Sequence, residues 1–186
     1  MTVILVKQPR FADQRGWFTE SWNQAKFAAL GIEADFCQDN HSYSQSTGTV
    51  RGLHFQTPPY AQAKLVRCVR GSILDVAVDI RTGSPTYGQH VSRVLSADNA
   101  EQLFIPAGYA HGFITLEPDC EVIYKVTAPY HKESEGGIIW NDPALGIDWP
   151  LPETGACLSD KDLVLPLLHE LEPHFAYEGG PLVPLD

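Results

Sequence analysis

Hydrophobic and polar positions alternate most clearly in the middle of the chain. In Ile73-Leu74-Asp75-Val76-Ala77-Val78-Asp79-Ile80, residues Leu74, Val76, Val78 and Ile80 share one face and Asp75 and Asp79 the other. That period of two predicts a half-buried antiparallel strand. Residues 64–70 precede it across a Gly71-Ser72 turn, so the two segments read as a hairpin. Further strands are predicted at residues 88–95, 101–105, 111–116 and 121–127, each flanked by Gly, Pro, Asn or Asp. Short strands at this spacing predict a sandwich or barrel. Helical patterning is confined to residues 24–30, after Asn23 as N-cap and before Gly31, and to a short stretch at 163–171. The Gly- and Pro-containing end, 178–186, reads as a mobile or docked tail.

Composition narrows the function classes. The 186 residues suit a single domain, 1–186, with 44% hydrophobic residues to form its core. Thirteen Lys and Arg against 23 Asp and Glu give a net charge of -10, which disfavours nucleic acid or an anionic membrane as partner. An anionic ligand would need a local cationic cluster. Cys37, Cys68, Cys120 and Cys157 form no C-x-x-C pair, so they match neither a metal knuckle nor a redox motif. The apolar run at 1–7 is too short for a signal peptide, and no segment approaches ~18 apolar residues. A cytoplasmic chain with reduced thiols is the simplest reading.

Candidate chemistry gathers at a few positions. Arg51 and His54 stand in Arg51-Gly52-Leu53-His54-Phe55-Gln56, with Lys64 eight residues further on. Strand geometry places His54 and Gln56 on one face, and beside Leu53 and Phe55 such a histidine is first a hydrogen-bonded core residue by pattern alone. Pro106-Ala107-Gly108-Tyr109-Ala110-His111 matches the second signature of cupin barrels, in which that histidine ligates metal. The first signature's H-x-H pair is absent, replaced by His54-Phe55-Gln56, then Gln62 and Lys64, a poor shell for a divalent ion. Lys64 would then supply positive charge in place of a metal. Tyr124 shares a face with Val122 and Val126 and reads as core, and Asp162 reads as a helix-start carboxylate.

Taken in order, these segments resemble the dTDP-4-dehydrorhamnose 3,5-epimerase family from about residue 11 to 168. The motifs are Phe11-Ala12-Asp13-Gln14-Arg15-Gly16-Trp17-Phe18-Thr19-Glu20, Gln38-Asp39-Asn40-His41-Ser42, Arg51 to Gln56, Lys64-Leu65-Val66-Arg67, 75–81 with Ser84-Pro85-Thr86, 105–113, Trp140-Asn141-Asp142-Pro143 and Leu158-Ser159-Asp160-Lys161-Asp162. The resemblance implies an all-β, cupin-type jelly-roll β-barrel with a few short helices, working as a homodimer without metal or other cofactor on a dTDP-linked ketosugar. It implies His54 as the base paired with Asp162, Tyr124 as the acid on the opposite ring face, and Lys64 as the cation beside the developing oxyanion. It implies Arg15, Glu20, Gln38, Asn40, Arg51, His111, Tyr130, Glu135 and Lys161 as substrate-binding residues. The chain departs at 129–133, which lacks a Pro two residues after Tyr130, and beyond Leu168, where the tail 169–186 matches no pattern.

Three other readings compete. A 3- or 5-mono-epimerase on a related ketosugar would use the same residues. A metal-dependent cupin would use His54, His111 and His41, and a non-catalytic sugar-nucleotide-binding module would keep only the barrel.

Overall fold

The computed structural model of the chain describes residues 2–179. Its strands are β1 (Ile4–Lys7), β2 (Phe11–Asp13), β3 (Gly16–Phe18), β4 (Gln38–Ser44), β5 (Val50–Gln56) and β6 (Lys64–Arg70). They continue with β7 (Ser72–Asp79), β8 (His90–Ser96), β9 (Glu101–Ile105), β10 (Tyr109–Thr115), β11 (Cys120–Val126) and β12 (Glu135–Gly137). Two antiparallel five-stranded sheets, ordered β1-β9-β6-β11-β4 and β12-β5-β10-β7-β8, form the jelly-roll barrel. The β2-β3 ribbon joins neither sheet.

Alternation along the strands sorts side chains into three layers of packing. Val66, Cys68, Leu103 and Val122 of the first sheet meet Ile73, Ala77 and Phe113 of the second inside the barrel. Outside the second sheet, Val50, Leu53, Phe55, Val76, Val78 and Ile114 are covered by Ile138, Leu145, Trp149 and Leu168. Outside the first, Leu65 and Phe104 pack on Phe27 and Ile32 around helix α1 (Gln24–Ala28). Interior positions at one end of the barrel are therefore apolar, whereas Lys64, Asp75 and His111 occupy the other.

The predicted hairpin of 64–70 with 73–80 does not form. β6 pairs with β9 and β11, and β7 with β10 and β8, so the chain changes sheet at Gly71. Gly71 has a φ of +74° and a β-carbon there would meet Cys120 Sγ at 2.6 Å, so this crossing needs the glycine. Nor is β7 half-buried. Asp75 and Asp79 are both buried, because the face they share points into the barrel rather than to solvent. Asp75 answers His111, and Asp79 accepts from Arg81, Ser84 and Thr86.

The helix after Asn23 is two residues shorter than predicted, and Asn23 caps it by accepting from Lys26 N at 3.1 Å. The stretch 163–171 is two 3₁₀ turns, Asp162–Val164 and Leu168–Glu170, separated at Pro166, which cannot continue a helix. The tail docks as far as Tyr177. Thr82 N donates to Phe175 O and Tyr177 N to Thr82 O, while the Phe175 ring meets Phe55 edge-on. The remainder of the tail, 180–186, lies outside the described residues. The four cysteines are free thiols.

Candidate active site

A strict period of two would send Arg51 and His54, three residues apart, to opposite faces of β5. The structure avoids this with a bulge. His54 lies opposite His111 and Arg51 opposite Phe113, so β5 spends one more residue than β10 over the same stretch. The extra residue turns both polar side chains into the barrel. At the bulge, a β-carbon on Gly52, whose φ is +120°, would meet Gly112 Cα and His111 O at 2.6 Å. Close backbone approach at Gly52 is thus what delivers the motif's two functional groups to one side.

Two cavities open there, of about 190 and 220 Å³, and His54, Lys64 and Tyr124 line both. Gln38, Asn40, Gln56, Gln62, Tyr130 and Glu135 surround the first, and Arg51, His111, Ser159, Lys161 and Asp162 the second. Each volume alone falls short of the ~300 Å³ at the low end of ligand pockets, and joined at their shared residues they reach that class.

His54 Nε2 lies 2.5 Å from Asp162 Oδ1, and Ser159 Oγ donates to Asp162 Oδ2 at 2.9 Å. Burial pushes the Asp162 carboxyl up, but the His54 and Ser159 hydrogen bonds and the His54 charge outweigh it and hold its pKa below the usual carboxylate value. Asp162 is therefore not a helix cap but the carboxylate behind the His54 ring. With one ring nitrogen so engaged, the other is available to accept a proton.

Lys64 is buried and donates to His54 O at 3.3 Å. Burial lowers its pKa to about 8, against the opposing pull of Asp75 and Glu135. Tyr124, on the inner face of β11, packs against the apolar interior but keeps a face on both cavities, so it is not simply core. Burial pushes its phenol up, and Arg51 partly offsets this. His111 Nε2 stands 2.8 Å from Asp75 Oδ1 in the closed interior. Its pKa is lowered, chiefly by burial.

At the rim, Gln38 donates to Asn40 Oδ1 at 2.8 Å, Tyr130 donates to Glu135 Oε2 at 3.3 Å, and Lys161 pairs with Glu135. Arg51 donates to Ser44 Oγ and Tyr43 O, neither of which carries a charge. The cavities thus gather every sequence-predicted site residue except two. Arg15 pairs with Asp13 on the exposed β2-β3 ribbon, and Glu20 pairs with Lys26 beside helix α1.

The donor set does not fit a divalent ion. His54 and His111 each engage a carboxylate through Nε2, the Lys64 ammonium shares their cavity, and His41 sits on the exposed face of β4 against Glu121. Among the described residues no group of three or more His, Cys, Asp or Glu is placed to share one ion.

Sequence reasoning missed Asp75 and Ser159 as contributors and left Gln56 without a role. Alternation predicts an outward face for Asp75; its signal is a second carboxylate on a segment, 73–80, whose other face is wholly apolar. Ser159 stands three residues before Asp162, a spacing that suits a hydroxyl-to-carboxylate bond across a tight turn. Gln56 joins two loops, donating to Tyr60 O and Pro129 O and accepting from His131 N.

Known proteins resemble this chain in sequence and fold. The family model described as dTDP-4-dehydrorhamnose 3,5-epimerase matches residues 1–170. A dTDP-4-dehydrorhamnose 3,5-epimerase of Sinorhizobium fredii is 51% identical over 175 residues, covering 94% of this chain and 89% of the relative. The crystal structure of dTDP-6-deoxy-D-glucose-3,5-epimerase from Legionella pneumophila, in complex with dTDP-4-keto-L-rhamnose, superposes with a TM-score of 0.91 at 43% identity, covering 95% of this chain and 94% of that one. A 3'-monoepimerase from Streptomyces bikiniensis in complex with dTDP-quinovose superposes at 0.84 with 33% identity, covering 90% and 84%. On the match of motifs, whole-chain identity and fold, the chain belongs to the dTDP-4-dehydrorhamnose 3,5-epimerase family.

Proposed function

We propose that this chain epimerises dTDP-4-dehydro-6-deoxy-D-glucose at C3 and C5 to dTDP-4-dehydro-L-rhamnose. The observation that carries the reading is His54, paired with Asp162, sharing both cavities with Tyr124 and a buried Lys64. C3 and C5 both flank the C4 ketone, so loss of either proton gives an enolate whose charge rests on O4. His54 takes the proton, and Asp162 fixes its tautomer and stabilises the imidazolium. Lys64 stabilises the oxyanion in a site with little competing water. Tyr124 returns a proton to the opposite face of the ring, which inverts the centre.

Arg51 and Lys161 suit the diphosphate, and they explain how a chain of net charge -10 holds an anion. Tyr130, Gln38 and Asn40 suit the thymine and sugar, with Glu135 bonded to Tyr130 and Lys161. Arg15 and Glu20 act across a homodimer. The ribbon bearing Arg15 exposes Phe11, Trp17 and Phe18 to solvent, an apolar surface that a second copy would cover. The chain acts as a single domain in the cytoplasm, and its free thiols are consistent with that compartment.

Incubation with the ketosugar nucleotide in deuterated water tests the reading. Label at both C3 and C5, with both centres inverted, is expected. Single epimerisation is the second reading, favoured by the likeness to the 3'-monoepimerase, and label at one carbon with one inverted centre would establish it. Dimer-shared sites have their own test. An equimolar mixture of Arg15→Ala and His54→Ala chains, exchanged through mild denaturant, should regain activity that neither has alone; no recovery would place Arg15 in its own subunit's site or outside any.

A further inference from the structure

A second histidine–carboxylate pair stands behind the reacting groups. His111 on β10 lines the second cavity, and Asp75, on the neighbouring strand β7 two residues before Ala77, the register partner of His111, lines neither cavity and is fully buried. Its Oδ1 meets His111 Nε2 at 2.8 Å, while Oδ2 bonds no described residue. A carboxylate so enclosed must have its charge answered from within the barrel. The charged and titratable groups that face the pair are Arg93 on β8, the cross-strand partner of Asp75, and, around the cavities, Lys64 on β6, His54 and Arg51 on β5, Tyr124 on β11, Glu135 on β12, and Asp162 and Lys161 at the mouth. Burial works against the Lys64 ammonium, and Asp75, ahead of Glu135, works for it. Glu135 is itself paired with Lys161, which leaves Asp75 as the acid committed to the interior.

We propose that Asp75 is a positioning residue of the reaction: it keeps Lys64 charged beside the reacting oxygen and fixes His111 as the Nε2–H imidazole, presenting Nδ1 to a sugar hydroxyl. This rests on the epimerase reading above. With Nε2–H donated to Asp75, a neutral ring has only a lone pair to offer the cavity. Burial, with the nearby Lys64 and His54 charges, keeps that ring neutral despite Asp75. A lone pair repels a carbonyl or enolate oxygen and accepts from a hydroxyl. Within the cavity Lys64 therefore attracts O4 and His111 turns it away. Together they orient the keto oxygen.

The pH dependence of deuterium incorporation tests the first half. The wild-type rate should fall above about pH 8, as Lys64 loses its proton. In Asp75→Asn that fall should begin on the order of one pH unit lower, and Asp75→Glu, which restores the charge, should move it back. An unchanged alkaline limb in a folded Asp75→Asn enzyme overturns the proposal. The second half is read in the wild-type protein, without relying on any Asp75 variant to fold. Nitrogen-15 spectra of labelled histidine, with His111 assigned from its missing signal in His111→Gln, should show a neutral Nε2–H ring at pH 7. An imidazolium or an Nδ1–H ring overturns it. Should the wild type exchange no proton at C3 or C5, the epimerase reading fails instead, and the His111 tautomer is still measured without substrate.

Discussion

His54–Asp162 and His111–Asp75 are built from the same residue types and meet through the same ring nitrogen, and both rings line one cavity, yet their surroundings differ. The His54 side chain is 28% exposed and its carboxylate sits on a 3₁₀ turn, with a serine hydroxyl on the second oxygen. The His111 side chain is 6% exposed and its carboxylate sits at 0% on the adjacent strand. A ring at the mouth can gain a proton because water, substrate and the Asp162 carboxylate answer the new charge. A ring locked between strands is held neutral by the cost of burying charge, and becomes a fixed acceptor. Depth, rather than residue type, divides base from scaffold.

Removing each ring tests that division. His54→Ala should slow deuterium exchange at both carbons on the order of a thousandfold, while dTDP affinity measured by calorimetry stays near wild type. Asp162→Asn keeps the ring but loses the charge behind it, and a loss of about a hundredfold is expected. His111→Gln should cost only about tenfold, because it touches orientation and not proton abstraction. Equal losses at His54 and His111 would erase the distinction between the two pairs.

Stability should rank the two positions in the opposite order. His111→Ala leaves the Asp75 carboxylate buried without its hydrogen-bond donor, and denaturant unfolding should show a loss on the order of 3 kcal/mol. His54→Ala leaves the buried Asp162 still bonded to Ser159 and facing the second cavity, so about 1 kcal/mol is expected. Tyr124 sits across both cavities and belongs to neither pair. Tyr124→Phe should retain exchange with solvent, since abstraction proceeds without it, but lower the yield of inverted product about tenfold, as followed by proton NMR. Parallel loss of exchange and inversion would remove its role as the opposite-face acid.

The sequence made the strands legible wherever an apolar face alternates with a polar one. Residues 101–105 form β9 with unchanged bounds, and 121–127 differs from β11 by one residue at each end. Pairing was not legible, because a period of two fixes a face but not a neighbour, so 64–70 and 73–80 looked like a hairpin although they lie in different sheets. The same limit hid Asp75, since alternation cannot tell a polar barrel interior from solvent. At Asp162 the local pattern suggested a cap, and only the fold brings it to His54, 108 residues earlier in the chain. Motif resemblance supplied what periodicity could not. It named residues that the cavities gather, but it could not reveal that the β5 bulge is what turns Arg51 and His54 to the same side.

The smallest effect expected is a divergence between activity and stability on the alkaline side. Lys64 has a pKa of about 8 in the folded chain, lowered by burial from an ordinary 10.5. Above pH 8 the folded state gives up this proton while the unfolded chain keeps it. The unfolded state then binds more protons, so this group's contribution to stability rises with pH, by about 1.4 kcal/mol per pH unit at most. Activity runs the other way, because only the ammonium stabilises an oxyanion. The window is short. Toward pH 9 and above, burial-raised acids such as Cys68, at about 12, and Tyr124 begin to favour the unfolded state, where they ionise more readily. Between about pH 8 and 9, exchange rates should therefore decline while urea midpoints hold or rise. If both fell together, alkaline inactivation would be unfolding, and Lys64 would not be the group whose charge the reaction uses.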